Sequence, residues 1–289
     1  MGVPYCVHSA TSADGTIIGY RQLGAGPGLI LVHGGMMGSQ NFMKLGHALA
    51  DTFTVYIPDR RGRGLSGSHG NYSLEREAED MSAVVGATGA ANIFGLSSGA
   101  IVTLQTALDE PTIENVILYE PPIPVGGYDP AHWVGQYNQE IAQGKFGAAL
   151  LTVAGGTNGS TLLTRLRFLT APLLNFAIRA DMKKVKGHDV SLKDLLLTMR
   201  YDPQAVAQST GLMERAKQLR ANVLLLGGSK SPGYLKAVLD RLQAALHQVS
   251  RVNLEGVGHL SADNSGRPRL VAQEVKKFLL NQRNSKFLL

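Results

Sequence analysis

From residue 16 to residue 283 the chain alternates short, almost wholly apolar runs with longer stretches that carry apolar residues every three or four positions. "TIIGYRQLG" (16–24), "GLILVHGG" (28–35), "TFTVYIPD" (52–59), "ANIFGL" (91–96), "ENVILYEPP" (114–122), "ANVLLLGG" (221–228) and "SRVNLEG" (250–256) read as strands. "NFMKLGHALA", "SLEREAEDMSAVVGATG", "GAIVTLQTALDE", "DPQAVAQSTGLMERAKQLR", "GYLKAVLDRLQAALHQ" and "PRLVAQEVKKFLLNQR" have helical spacing. A strand without polar alternation is buried on both faces, and helices between such strands carry the chain from one to the next. The expected fold class is therefore α/β, a mostly parallel doubly wound sheet. Ser73 is placed to cap the second helix, with Glu75 and Glu77 near its positive end.

The rhythm breaks between residues 121 and 200. "AHWVGQYNQEIAQGKFGAALL" and "TLLTRLRFLTAPLLNFAIRADMKK" are both helical in pattern, with no strand between them. Most connections run to a handful of residues, so 121–200 is read as a helical insertion into a core made of 1–120 and 201–289. Its Trp133, Tyr137, Phe146, Phe168, Phe176, Met182 and Met199 fit a small core of their own, with some roofing a pocket.

Composition excludes several classes. A hydrophobic share of 44% and a charged share of 17% argue against disorder. No apolar run reaches a membrane-spanning length and no basic-then-apolar leader opens the chain, so neither a membrane partner nor secretion is expected. The single cysteine, Cys6, cannot form an internal disulfide; it reads as a small buried side chain and the chain as cytoplasmic. The net charge of +6 is scattered apart from the run around Lys183, Lys184 and Lys186, read as a solvated face, so no nucleic-acid partner is expected. "GRGLSG" (62–67) matches a dinucleotide fingerprint, but no helix opens on it, and no cofactor or metal is expected.

The chemistry centres on "GLSSG". Ser97 stands between Gly95 and Gly99, after a strand and before a helix. This is either a tight turn that happens to hold serines or a sharp elbow that presents Ser97 as a nucleophile. A serine hydroxyl needs a base within hydrogen-bond reach, and the base needs an orienting group. Of the eight histidines, His259 alone sits on a glycine-lined loop between the last strand and the last helix. Loops that follow parallel strands gather at one sheet edge, so His259 can meet Ser97 there. Backbone N–H groups of Ser98 and of Gly35, with Met36 close behind, are the candidate oxyanion donors; the plain alternative for "HGGMMG" is an ordinary strand-to-helix turn.

Taken in order, "LVHGG", "PDRRGRGLS", "GLSSG" and "GVGH" resemble the motifs of the α/β-hydrolase family over nearly the whole chain. The resemblance implies an α/β-hydrolase fold whose insertion is a helical cap, with Asp59 and Arg61 tying down the loop after "TFTVYIPD". It also implies an orienting acid. Many members place an aspartate after the penultimate strand, where this chain has Ser231. Other members place it one strand earlier, and there Glu120 falls, in the chain order Ser97, Glu120, His259. Asp202, Asp240 and Asp263 are the rival acids. The implied activity is hydrolysis of a mid-sized, mostly apolar carboxylic ester. Lactone, thioester, amide or carbon–carbon cleavage on the same fold, or a non-catalytic receptor for a small molecule, stay open.

Overall fold

The structure is a computed structural model that describes residues 4–158, 166–183, 185 and 187–286. Eight strands form one sheet: β1 Cys6–Thr11, β2 Ile17–Leu23, β3 Gly28–Val32, β4 Thr54–Pro58, β5 Asn92–Leu96, β6 Asn115–Tyr119, β7 Asn222–Gly228 and β8 Val249–Leu254. Their order across the sheet is β1-β2-β4-β3-β5-β6-β7-β8. β1 and β2 pair antiparallel, as do β2 and β4, and every later neighbour is parallel.

β5 and β6 are buried at every residue, as expected of central strands covered on both faces. One face packs under helices α2 (Leu74–Thr88) and α3 (Ser98–Asp109), and the other under α1 (Met43–Leu49) and α11 (Pro268–Lys286). Ser73 caps α2 as the sequence implies, accepting the backbone N–H of Arg76 at 3.2 Å.

Between β6 and β7 the described chain holds α4 (Val134–Ala142), α5 (Phe146–Asn158), α6 (Arg167–Met182), α7 (Leu192–Thr198), α8 (Asp202–Gln208) and the single turn α9 (Leu212–Arg215); α10 (Gly233–Ala245) follows β7. Two expected long helices are broken. Gly144, at φ 68°, ends α4 and separates it from α5. Tight turns around Ser209–Gly211 split the helix expected from residue 202 onward. The start of the expected helix at 161–165, and Lys184 and Lys186 of the basic run, lie outside the described residues.

The N-terminal stretch differs from its sequence reading. Cys6 is exposed rather than buried, and the segment holding it and His8 forms a further strand ahead of the alternation that begins at residue 16. β1 is an edge strand exposed along most of its length, so no apolar run marks it. His247 lies just past α10 rather than within it. Among the described residues no helix is long and apolar enough to cross a membrane.

Candidate active site

The elbow is built by close approach. Gly99 runs so near the end of the neighbouring strand β3 that a Cβ there would sit 2.3 Å from the carbonyl oxygen of His33. At Gly95 it would meet the Thr103 hydroxyl at 2.4 Å. Ser97 itself has φ 56° and ψ −127°, a region that costs an L-residue on the order of 1–3 kcal/mol. Among the described residues the non-glycine positions with positive φ are Met36, Ser97 and Glu120, at 52°, 56° and 47°. All three fall at this one edge of the sheet.

Ser97 and Glu120 leave the ends of neighbouring strands. Leu96 pairs with Tyr119 in register, Ser97 N–H donates to the Tyr119 carbonyl at 2.9 Å, and Glu120 N–H donates to Leu226 at 3.2 Å. His259 reaches across from the loop after β8. Its Nε2 lies 2.9 Å from Ser97 Oγ and its Nδ1 lies 2.8 Å from Glu120 Oε2. An ionised carboxylate only accepts, so the tautomer that suits both partners carries its proton on Nδ1 and leaves Nε2 to accept the serine hydroxyl. Glu120 is fully buried, and its second oxygen accepts the backbone N–H of Gly228 at 2.7 Å. The loop that carries the imidazole is pinned at the Gly258 carbonyl, which accepts from Tyr119 Oη at 2.9 Å and from Ser261 Oγ at 2.7 Å.

The rival acids are engaged elsewhere. Asp240 pairs with Arg251 at the surface. Asp263 accepts from Asn41 Nδ2 at 3.1 Å and from the Ser265 backbone at 2.7 Å. Asp202 belongs to a buried network beside the elbow. Its Oδ1 accepts from Ser98 Oγ at 2.6 Å and Arg60 at 2.9 Å, and its Oδ2 accepts from Arg63 at 2.8 Å. Arg60 also grips Glu77 through both carboxylate oxygens, at 2.5 and 2.8 Å. Burial alone would raise the Asp202 carboxyl, but the Arg63 and Arg60 guanidiniums outweigh it and hold the group down to about 2. Burial, with the same two arginines, pushes His33 well below its ordinary value, so its ring is neutral. In that form Nδ1–H donates to the Gly34 carbonyl at 2.9 Å, and Nε2 accepts the Arg60 backbone N–H at 3.2 Å. His33 thus braces the glycine loop.

Asp59 ties its own loop, accepting from the Ser39 backbone at 2.5 Å and from Leu65 at 3.0 Å. Arg61 does so through Asp80 at 2.7 Å and Asp14 at 3.0 Å. The ties of Asp59 and Arg61 match the resemblance; the pairing of Arg60 and Arg63 with Glu77 and Asp202 is beyond the sequence reading, where the density of arginine in "PDRRGRG" is its one local signal.

Ser97, Ser98, Gly35 and His259 open into a cavity of about 340 Å³. Its walls include Met36, Trp133, Leu150, Val153, Met199 and Leu260. Among the described residues no lysine or arginine lines it. Trp133 and Met199 line the cavity, and Tyr137 packs with them and Leu196 behind it. Phe146 lies against that cluster. Phe168, Phe176 and Met182, expected in a core or over a pocket, are instead exposed on the outside of α6. Among the described residues no group of three or more His, Cys, Asp or Glu could hold a metal ion.

Comparison with known proteins follows the same lines. A model of the alpha/beta hydrolase family matches residues 29–274. A pimeloyl-[acyl-carrier protein] methyl ester esterase of Xanthomonas campestris pv. campestris is 26% identical over 267 residues, 89% of this chain and 96% of that protein. The uncharacterized hydrolase YraK of Bacillus subtilis is 32% identical over 114 residues, 38% of this chain and only 42% of that relative. Among solved structures, an alpha/beta hydrolase from Sphaerobacter thermophilus superposes with a TM-score of 0.75 at 26% identity, covering 94% of this chain and all of the other. The enol-lactonase from Burkholderia xenovorans LB400 superposes with a TM-score of 0.68 at 21% identity over 96% of this chain and 100% of its own, a likeness of fold.

Proposed function

Because the chain belongs to the alpha/beta hydrolase family, we propose that it hydrolyses a mid-sized, mostly apolar carboxylic ester through a Ser97–His259–Glu120 triad and an acyl-enzyme. The observation that carries this reading is the unbroken hydrogen-bond chain from Ser97 Oγ through both ring nitrogens of His259 to Glu120. The esterase relative, similar over most of both chains, supports an ester as the bond attacked.

In the first half-reaction Ser97 Oγ bonds to the ester carbonyl carbon while its proton passes to His259 Nε2. The carbonyl electron pair moves to oxygen, and the backbone N–H groups of Ser98 and Gly35 receive that charge. Each such donor is worth about 3 kcal/mol of transition-state stabilisation. Ser98 is the first residue of α3, so the positive end of the helix adds to the effect. Glu120 holds the ring in its tautomer and stabilises the imidazolium. The tetrahedral centre then expels the alcohol, which takes the proton from His259. Water repeats the sequence on the acyl-enzyme, giving up its proton to His259 and releasing the acid and Ser97.

The helical segment 121–200 acts as a cap over the core formed by 1–120 and 201–289. It supplies Trp133, Leu150, Val153 and Met199 to an acyl or alcohol site that holds no cation, which favours neutral apolar groups over carboxylate-bearing ones. The partner is a small molecule, no cofactor enters the cycle, and a reducing, cytoplasmic setting suits the lone exposed thiol. A panel of p-nitrophenyl esters of increasing acyl length tests the reading. Turnover should peak at intermediate chain length and vanish in Ser97→Ala; a preference for the most polar members, or turnover that survives in Ser97→Ala, contradicts it.

A further inference from the structure

Large apolar side chains stand in solvent along the outer face of α6. Phe168, Leu169, Leu173 and Phe176 are 72%, 56%, 71% and 76% exposed. Steps of four, four, three and four residues set Phe168, Pro172, Phe176, Arg179 and Lys183 in one line down the helix, with Leu169 and Leu173 beside it. Arg179 and Lys183 are exposed as well. The face turned to α5 is made of smaller and polar groups. A Cβ at Gly147 would lie 2.2 Å from the Ala171 carbonyl, and Asn175 Oδ1 accepts the Gly147 N–H at 2.8 Å. Ile178 is the large apolar group buried there. The ordinary amphipathic arrangement is thus reversed: the bulkiest apolar groups of α6 face water.

We propose that this stripe docks on the surface of an anionic lipid bilayer. A helix with an aromatic and aliphatic face and cations at its margin lies in the interface with its apolar side sunk among the acyl chains. Arg179 and Lys183 continue the line and can extend to lipid phosphates. Charge complementarity supports this occupant: residues 121–200 carry nine Lys and Arg against five Asp and Glu, so most of the net +6 resides in that segment.

A second copy fits less well. The sixteen residues of α6 give a helix about 24 Å long and about 10 Å wide, whereas a stable dimer buries about 800 Å² on each partner. Two such segments would also repel each other. The docked helix is one layer from the cavity, because α5 packs against α6 and lends Leu150, Val153, Ala154 and Thr157 to the cavity wall. The sequence expectation of no membrane partner rested on the lack of a spanning run, and a helix lying in the interface needs none. Docking through α6 needs none of the chemistry at Ser97.

Co-sedimentation of the full chain with phosphatidylcholine vesicles, with and without phosphatidylglycerol, tests it. The wild type should pellet with the phosphatidylglycerol vesicles and far less with phosphatidylcholine alone. High salt should weaken binding. The triple variant F168S/L173S/F176S should bind at least about tenfold more weakly, and R179A/K183A about tenfold more weakly on anionic vesicles alone. Both variants should keep the wild-type circular dichroism spectrum and turnover of a soluble ester. Should the triple variant fail to fold, R179A/K183A and the salt dependence carry the test. The proposal is overturned if the folded wild type ignores both vesicles, if it binds both equally, or if R179A/K183A binds anionic vesicles as the wild type does. It is equally overturned by a dimer in light scattering that the triple variant abolishes, which would assign the stripe to a second copy. Loss of ester turnover throughout would refute the proposed reaction and leave the vesicle result standing.

Discussion

Glu120 Oε1 accepts the backbone N–H of Gly228 at 2.7 Å while its Oε2 faces His259 Nδ1 at 2.8 Å, so the carboxylate is held from both sides. The donor on the second side belongs to β7, the strand after which many related chains carry their acid. Here Ser231 stands where the resemblance implies an aspartate, and Gly228, at the end of the same strand, supplies an N–H to the carboxylate of Glu120 from the neighbouring strand. Glu120→Gln keeps the volume and one acceptor but removes the charge that stabilises the imidazolium. Its kcat should fall by about 10³–10⁴-fold with little change in KM. Asp240→Asn, altering a surface pair, should stay within about twofold. Steady-state kinetics on one p-nitrophenyl ester decide the matter.

Ser97 should react with a fluorophosphonate probe within minutes, and His259→Ala should lose that reaction while remaining folded. Mass spectrometry of the labelled peptide identifies the site. Labelling of Ser98 instead, or undiminished labelling in His259→Ala, would contradict the assigned roles.

Gly99→Ala would place a methyl group 2.3 Å from the His33 carbonyl oxygen, inside a core that cannot yield. Overpacking of this kind costs about 3 kcal/mol, and a melting temperature lower by roughly 5 °C is expected by differential scanning calorimetry.

Two buried groups near the elbow link stability to pH in different windows. His33 is neutral in the folded chain, with its affinity for protons depressed mainly by burial. Its contribution is complete above the unfolded value of about 6.5, and it declines as pH falls because only the unfolded state takes up the proton. Asp202, held at about 2, contributes above the unfolded carboxylate value and loses that contribution as pH falls from about 4 toward 2. Urea unfolding of the wild type against His33→Asn should show the difference in stability narrowing from pH 6.5 downward. Against Asp202→Asn the narrowing should be confined to the more acid window.

Filling the cavity should separate substrate lengths. Ala154→Phe would put a ring into the cavity from its α5 wall. It should raise KM for long acyl chains by about tenfold or more and leave acetate turnover within about threefold. Equal loss on every ester would mean that this wall does not border the acyl site.

Much of the sheet was readable because β3 through β7 are apolar at nearly every position, and burial on both faces leaves that imprint on a sequence. Gly95, Ser97, Gly99 and His259 could be singled out because turn chemistry and position after a strand are local properties, whereas Glu120 came from the family resemblance; the structure brings Ser97, His259 and Glu120 within hydrogen-bond reach. Cys6 and His8 gave no such cue, since an edge strand exposed along its length has no apolar signature. The split at Gly144 could not be told from a helix that tolerates a glycine. Arg60 and Arg63 were obscure for another reason: their partner Asp202 lies about 140 residues away, and a buried ion pair carries no local pattern. The outward stripe of α6 is periodic in the way a core helix is, and periodicity alone does not say which side is wet.

Ser97 and Glu120 occupy matching rungs of two adjoining strands, so their separation is a property of the ladder itself. Breathing of the sheet carries them together, as two teeth cut on one gear. The imidazole comes from a loop, and it is the member of the chain able to swing without tearing β-structure. A change in the contact between His259 and these two residues is therefore free to come from that loop, leaving residues 97 and 120 in step.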